Sequence, residues 1–508
     1  MASLALATEP ASPGPDEAMV RAGQRLFHSA VATDGTLLQG TLFGGESRLQ
    51  GQAAACAGCH GSDGQGRIDA GVPVPDIRWD ALTRERTPLP GGAARPAYDE
   101  LSLMRALRSG VDPAGRRLAA AMPRFEITPR QAAQLVGYLR RVGTAGDQAP
   151  GVTDSELRVA IVVRSEQEAA AHAAAAAACL REVNAQGGVY GRRLTWVVRR
   201  ADELRDEDAW RQLGDEVALV LAPAWSSQEQ LDRFSRWAAR EQLLVIGPAG
   251  VPVDDAGSTG TTFRVAADPA TGWQAVLEHL AARAGSGRRP TVLWAVRSEA
   301  GETAPEWRAL RSYATRHAGL SWHEAPVSAL VAGAVGSWPA PDAVLVMGSA
   351  AQVAEADVAL GRRGVPASVP IVAASSTVGP AAARLSPSAK DRLLLVHAHP
   401  LGDDLQLQRL VRALREDGAR LTAPALQTTA FAAGCLAVEG LRRTGRRVTH
   451  TGLREALESV RDYATGVTMP LTYGVRQRQG VWGARLVRLQ GDAIVAATPW
   501  LTPGQNAP

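Results

Sequence analysis

Apolar residues recur at helical spacing near the start of the chain. Over residues 16–30, Val20, Gly23, Leu26 and Phe27 fall on one face. A second amphipathic stretch, 129–142, carries Ala132, Leu135, Val136, Tyr138 and Leu139 and opens on Thr128-Pro129, the N-cap and N1-proline order of a helix start. A third helix is predicted near 99–109. Gly23 and Gly137 would let two of these helices approach closely. From residue 157 the pattern changes to short apolar runs at 157–163, 194–199, 217–222, 243–247, 291–296, 343–347, 369–373 and 393–396. Helical stretches separate most of them, beginning with the Ala-rich 166–183. Such alternation predicts a parallel, doubly wound sheet, and the stretch is too long for one sheet, so two lobes are expected.

Between the two patterns, residues 144–156 are small, polar and broken by Pro150, which is linker composition and predicts a flexible tether. The chain has 508 residues, 45% hydrophobic and 21% charged, as expected of a globular protein of two or three domains. Its net charge is only +4, and Lys390 is the sole lysine. No basic stripe interleaved with aromatics points to nucleic acid, and no apolar run is long enough to span a bilayer.

The chemistry concentrates in Cys56-Ala57-Gly58-Cys59-His60. CxxCH is the attachment signal of a c-type haem, in which two thiols form thioethers and the next imidazole ligates iron. Half of a zinc site would need a second Cys/His pair nearby, and none follows. One covalent haem c is therefore expected, and with it export to the periplasm. Residues 1–15 are read either as the remnant of a signal peptide, with Ala5-Leu6-Ala7 before Thr8 as its A-x-A end, or as a disordered N-terminus. Cys179 and Cys435 lie in apolar, helix-like stretches and read as buried thiols, a disulfide between them being the alternative.

Met122, after a polar Gly/Pro segment and before the last helix, is the preferred sixth iron ligand. Met104, His28 and an open position are the alternatives; Met104 sits mid-helix, where a core role is more natural. Over 16–143 the chain resembles the class I c-type cytochromes, in "AGQRLF", "ACAGCHGSDGQG", "AMPRF" and "LVGYLRRVG". That resemblance implies an all-α domain around one haem, with Cys56 and Cys59 as thioether sites and His60 and Met122 as axial ligands. Arg95, Tyr98 and Trp79 are then either contacts of the haem propionates or ordinary packing and surface residues.

The run Asn184-Ala185-Gln186-Gly187-Gly188-Val189-Tyr190-Gly191-Arg192 turns the first helix of the second module into its second strand. In this register, with "ALVLAPAWSS", "FRVAADP", "PDAVLVMGSA" and "GLREALESVRD", residues 157–503 resemble the type I periplasmic solute-binding proteins of the branched-chain amino-acid receptor kind. The resemblance implies two α/β lobes with a small polar ligand between them. Trp225, Ser226 and Ser227 match the family's first serine loop, the alternative being a plain helix N-cap, and Ser375 and Ser376 are further contacts. The loop Gly247-Pro248-Ala249-Gly250 lacks the family's hydroxyls, and Ser298-Glu299-Ala300-Gly301 lacks its tyrosine. An ordinary amino acid is therefore a poor expectation for the ligand. His397 and His399 share one side of an extended segment, but no third metal ligand accompanies them, so hydrogen-bonding roles are favoured.

No nucleophile elbow, P-loop or HExxH is present. The expected function is non-enzymatic: periplasmic electron transfer by one haem, fused to a ligand-binding module that docks or gates it. The alternative is a solute receptor of an ABC importer or a sensor with an accessory haem. A third reading is an oxidoreductase whose cleft substrate reduces the haem. Expected partners are a periplasmic dehydrogenase or oxidase, a small polar ligand and an ABC permease.

Overall fold

A computed structural model describes residues 15–504 apart from 43–44, 46, 70, 87–93, 145, 250–259, 284–289, 300–304, 400, 402–404 and 492. Residues 1–14, and with them the signal-peptide reading, lie outside the described residues.

The first module rests on α1 (Pro15–Ser29) packed against α5 (Pro129–Leu139). Between them come α2 (Cys56–His60), α3 (Trp79–Leu82) and α4 (Glu100–Ser109). Gly23 makes the α1–α5 crossing, since a Cβ there would collide with the Gln134 carbonyl. Gly137 does not: a Cβ there would meet Met19 at 3.5 Å, an ordinary contact. Reciprocal capping boxes start α4 (Asp99 with Ser102) and α5 (Thr128 with Gln131). Short strands join the helices, an addition to the all-α expectation. β1 (Gln39–Leu42), β2 (Ser47–Gln50) and β5 (Arg124–Phe125) form an antiparallel sheet in the order β2-β1-β5. β3 (Arg67–Asp69) and β4 (Val72–Val74) form a hairpin.

The second module has two lobes, as the strand–helix alternation predicts. In lobe 1, β6 (Glu156–Val163), α6 (Glu166–Ala185), β7 (Arg193–Arg200) and α7 (Glu207–Glu216) lead into β8 (Leu219–Leu221). After them come α8 (Gln228–Glu241), β9 (Leu244–Ile246) and β10 (Thr262–Phe263). The five strands are parallel, in the order β10-β9-β8-β6-β7.

Lobe 2 begins with α9 (Pro269–Arg283), β11 (Thr291–Arg297), α10 (Pro305–Arg316), β12 (Leu320–Pro326) and α11 (Val327–Val331). It continues through β13 (Ala343–Met347), α12 (Ala350–Arg362), β14 (Ile371–Ala374), α13 (Ser375–Val378), α14 (Pro387–Arg392) and β15 (Leu393–His397). The chain then returns to lobe 1 for α15 (Leu405–Glu416), α16 (Pro424–Thr444) and α17 (His450–Glu458). It closes on lobe 2 with the antiparallel β16 (Arg485–Gln490) and β17 (Ala493–Ala496). The lobe-2 order is β12-β11-β13-β14-β15-β16-β17.

Two expectations are corrected. Cys179 and Cys435 are not free thiols: they form a disulfide that ties α6 to α16, with Cα atoms 5.0 Å apart. The two helices approach closely because Gly434 faces the Ala176 carbonyl, which any Cβ would strike. The linker is not a flexible tether either. Asp147 and Ala149 are buried, Ala149 N donates to Val448 O at 2.6 Å, and Val448 N donates to Gln148 Oε1 at 2.8 Å. Its small polar residues satisfy their backbone groups on lobe 1 instead of on water.

The first module is therefore docked on lobe 1. Arg21 pairs with Asp215, and Arg25 with Glu241 at 3.3 Å. Arg447 Nη1 donates to Gly143 O at 2.9 Å, and His28 Nδ1 lies 3.2 Å from Thr451 Oγ1.

Candidate functional site

The five residues of the CxxCH run form a helix of their own, α2, which stops at Gly61 with φ 81°. The loop beyond folds back on it: Gly66 N donates to His60 O at 2.8 Å, and the Arg67 guanidinium to Gly58 O. His60 is buried, and its Nδ1 donates to the Pro75 carbonyl at 2.8 Å. That bond sets the tautomer and leaves Nε2 as the ring atom able to ligate iron. Burial is the main influence holding the imidazole below its ordinary value; the Pro75 carbonyl and Asp76 oppose it. Cys56, Ala57, Ile77, Trp79, Met104, Leu118 and Met122 pack on the module's core yet stay partly exposed. Partly exposed apolar side chains together with two thiols and one oriented imidazole fit a covalently held haem, with Cys56 and Cys59 to carry it and His60 to ligate it.

The Met122 loop is built to hold one shape. It leaves α4 at Gly110, which is left-handed with φ 66°. The buried Asp112 carboxylate accepts from Arg116 N and Nε, both at 2.9 Å. The Arg124 guanidinium then gathers three carbonyls of the loop, those of Leu118 (3.2 Å), Ala119 (3.4 Å) and Met122. Arg124 is itself held in β5 by its pairing with Thr41 of β1.

The alternatives to Met122 sit on other elements. Met104 packs on the same core as Met122 but lies within α4. His28 is committed at the seam between modules, with Nε2 2.8 Å from Tyr138 Oη and Nδ1 bonded to Thr451. Arg95 donates to the carbonyls of Ala81, Leu82, Arg84 and Pro96 and stacks over Tyr98, a packing role. Trp79 packs on the core beneath Arg140.

In parallel sheets such as those of the second module, ligands usually bind beyond the carboxyl ends of the strands. The turn after β8 is rigid. Ala222 adopts φ 47°, its N donates to Ile246 O at 2.7 Å, and its carbonyl accepts from His172 Nε2 at 2.7 Å. The Trp225 ring is buried in the lobe-1 core, 4.6 Å from the Phe234 ring centroid. Ser226 is exposed, and Ser227 caps α8 by accepting from Gln230 N at 3.2 Å. In lobe 2, Ser375 Oγ lies 3.0 Å from His397 Nδ1, and Ser376 is exposed beside it. The His397 and His399 rings are 5.9 Å apart, and burial, reinforced by His397, pushes His399 down to about 4. Ser375 and Ser376 thus share the lobe-2 edge, while Ser226 stands on lobe 1.

Sequence reasoning missed the groups that arrange these sites. His172 and Arg124 act through backbone carbonyls, which leave no residue pattern. The chain Thr451–His28–Tyr138–Asp147 crosses the seam and joins residues distant in sequence; Tyr138 Oη donates to Asp147 Oδ1 at 3.0 Å.

Comparison with known proteins matches the same two modules. A cytochrome c family model covers residues 49–143, and a periplasmic binding protein family model covers 165–493. Among solved structures, a fatty acid ABC transporter substrate-binding protein from Thermomonospora curvata is 17% identical with a TM-score of 0.52, over 71% of this chain and 95% of its own. A putative branched-chain amino acid ABC transporter from Rhodospirillum rubrum is 19% identical with a TM-score of 0.53, over 68% of this chain and 100% of its own. At these identities the likeness establishes the two-lobed fold. No curated protein matches the chain.

Proposed function

Because the chain belongs to the periplasmic binding protein family and carries a cytochrome c domain ahead of that module, we propose that it is a periplasmic electron carrier whose haem module is held on a solute-binding module. The observation that carries this reading is His60, buried at the end of the CxxCH helix with Nδ1 committed to Pro75 O. A haem bound there supplies one-electron chemistry at iron.

Residues 16–143 form the haem unit, 144–156 the connection and 157–503 the solute module. Cys56 and Cys59 carry the thioethers, His60 is one axial ligand and Met122 the other. The Arg124 clamp supports the second assignment, because it holds the Met122 backbone in one position. Ser226, Ser227, Ser375 and Ser376 contact a small polar ligand through hydroxyls at the strand ends; Trp225 supports that edge from within the core. A periplasmic dehydrogenase or oxidase exchanges electrons with the haem, and an ABC permease is the partner of the solute module.

Native mass spectrometry of the protein taken from its own periplasm, repeated after denaturation, tests both halves. A haem mass that survives denaturation is expected, together with a small mass that does not. Absence of the haem mass overturns the electron-transfer reading. A haem mass without a ligand mass leaves the carrier standing and removes the resident solute.

A further inference from the structure

We propose that α17 mechanically couples the hinge of the two-lobed module to the haem module. The inference rests on the reading that the two lobes move relative to one another about a solute cleft.

One end of α17 is locked to the segments that cross between the lobes. Glu458 forms a 2.5 Å ion pair with Arg478, whose side chain is 2% exposed. Arg478 also donates to Gly260 O at 2.8 Å and Gly474 O at 2.6 Å and stacks 4.8 Å from the Phe263 ring centroid. Its own carbonyl accepts from Arg264 N at 2.9 Å, while Arg264 O accepts from Gly480 N at 2.9 Å and Tyr473 Oη at 2.8 Å. Arg264 and Arg478 therefore belong to two segments joined by a parallel bridge between Arg264 and Gln479, and both segments lead on into lobe 2. Parting Glu458 from Arg478 breaks a close ion pair between two largely buried side chains, so the pair carries a displacement instead of slipping.

The other end of α17 touches the haem module. Thr451 bonds His28 of α1, and Val448, just before the helix, bonds Ala149 and Gln148. His28 continues to Tyr138 of α5, the helix that follows the Met122 loop. Between its ends, α17 is braced by Leu453 and Leu457 against Gly440 of α16, where a Cβ would lie 2.7 Å from Leu457 Cδ2. Arg454 Nη1 also bonds Gln242 Oε1 at the end of α8, at 2.8 Å. A helix of nine residues spans about 13 Å at 1.5 Å per residue, enough to carry a shift from hinge to seam.

The test is hydrogen exchange read by mass spectrometry on the full-length, haem-loaded protein, with no solute added. In one variant, Arg478→Met/Glu458→Met removes both charges of the pair, while Arg454 keeps its bond to Gln242. In a second, Thr451→Val cuts the seam. The hinge variant should speed exchange in α1 about tenfold, within the range usual for coupled sites. The seam variant should reciprocally speed exchange in residues 474–480. Combining the two should add little further effect in α1, since both break one route. Faster exchange confined to α17 and the crossing segments, with α1 unchanged, overturns the proposal. If the hinge variant does not fold, unchanged exchange at 474–480 in Thr451→Val overturns it alone. Because no solute enters the experiment, its failure leaves solute binding intact, and an empty cleft leaves the coupling result intact.

Discussion

His60 Nδ1 donates a 2.8 Å hydrogen bond to the Pro75 carbonyl, and that single contact orients the only histidine of the CxxCH run. The loop from Gly61 to Pro75 thus supports the proposed haem site: it closes on the backbone of α2 and on the ring proposed to ligate the iron.

Met122 is the proposed second axial ligand, so Met122→Ala should open the sixth position. The ferrous protein should then bind carbon monoxide, and its midpoint potential should fall, because a thioether opposite histidine favours the ferrous state. Absorption spectra with and without carbon monoxide decide the matter. An unchanged spectrum in the variant rejects Met122.

Arg124 ties three carbonyls of the same loop. Arg124→Met keeps the length of the side chain and removes its donors, at a cost of about 1–3 kcal/mol in stability. Denaturant unfolding measures the loss. The variant should also show partial carbon monoxide reactivity that resembles the Met122→Ala behaviour, whereas a purely structural defect would lower stability without it.

The seam is expected to weaken in acid. Burial, then the positive charges of Arg454 and His450, pushes His28 down to about 3. Burial likewise pushes His450 down to about 4, with the nearby Arg21 adding to the effect and the Ala218 carbonyl opposing it. Arg21 and Arg25 already place positive charge there, each paired with a carboxylate, Asp215 and Glu241. Released into water, both imidazoles return toward 6.5 and take up protons that the docked form refuses. Their contribution to docking is therefore complete above 6.5 and is lost as pH falls from there toward 3. Calorimetry between about pH 7 and 4 should show a falling melting temperature, with a shallower slope in His28→Asn. Equal slopes in the two proteins contradict this account.

The Cys179–Cys435 disulfide closes a loop with a sequence separation of 256, which places it near the upper end of disulfide stabilisation, about 3–5 kcal/mol. Cys179→Ser/Cys435→Ser should lose that amount in urea unfolding followed by far-ultraviolet circular dichroism. Dithiothreitol should mimic the loss in the parent protein while leaving the thioether-bound haem mass unchanged. A loss below about 1 kcal/mol would mean that α6–α16 packing alone holds lobe 1.

Much of the architecture is legible in local patterns. Helical spacing locates α1, α4 and α5, and strand–helix alternation locates most of the parallel strands of both lobes but not β10, β12 or the antiparallel β16 and β17, because the elements so located follow from burial of one face of a regular backbone. The haem motif is equally local, since its chemistry requires five consecutive residues.

Local residue patterns therefore specify the covalent chemistry of the first module and its three main helices, while its short strands escape them. Folding in three dimensions brings Cys179 to Cys435, turns Trp225 into the core, and binds Gln148 and Ala149 to lobe 1. The same is true of His28 and Thr451, which meet across a sequence separation of 423. A polar residue looks the same in sequence whether its partner is water or a distant backbone carbonyl, and only packing, by excluding the water, selects the partner.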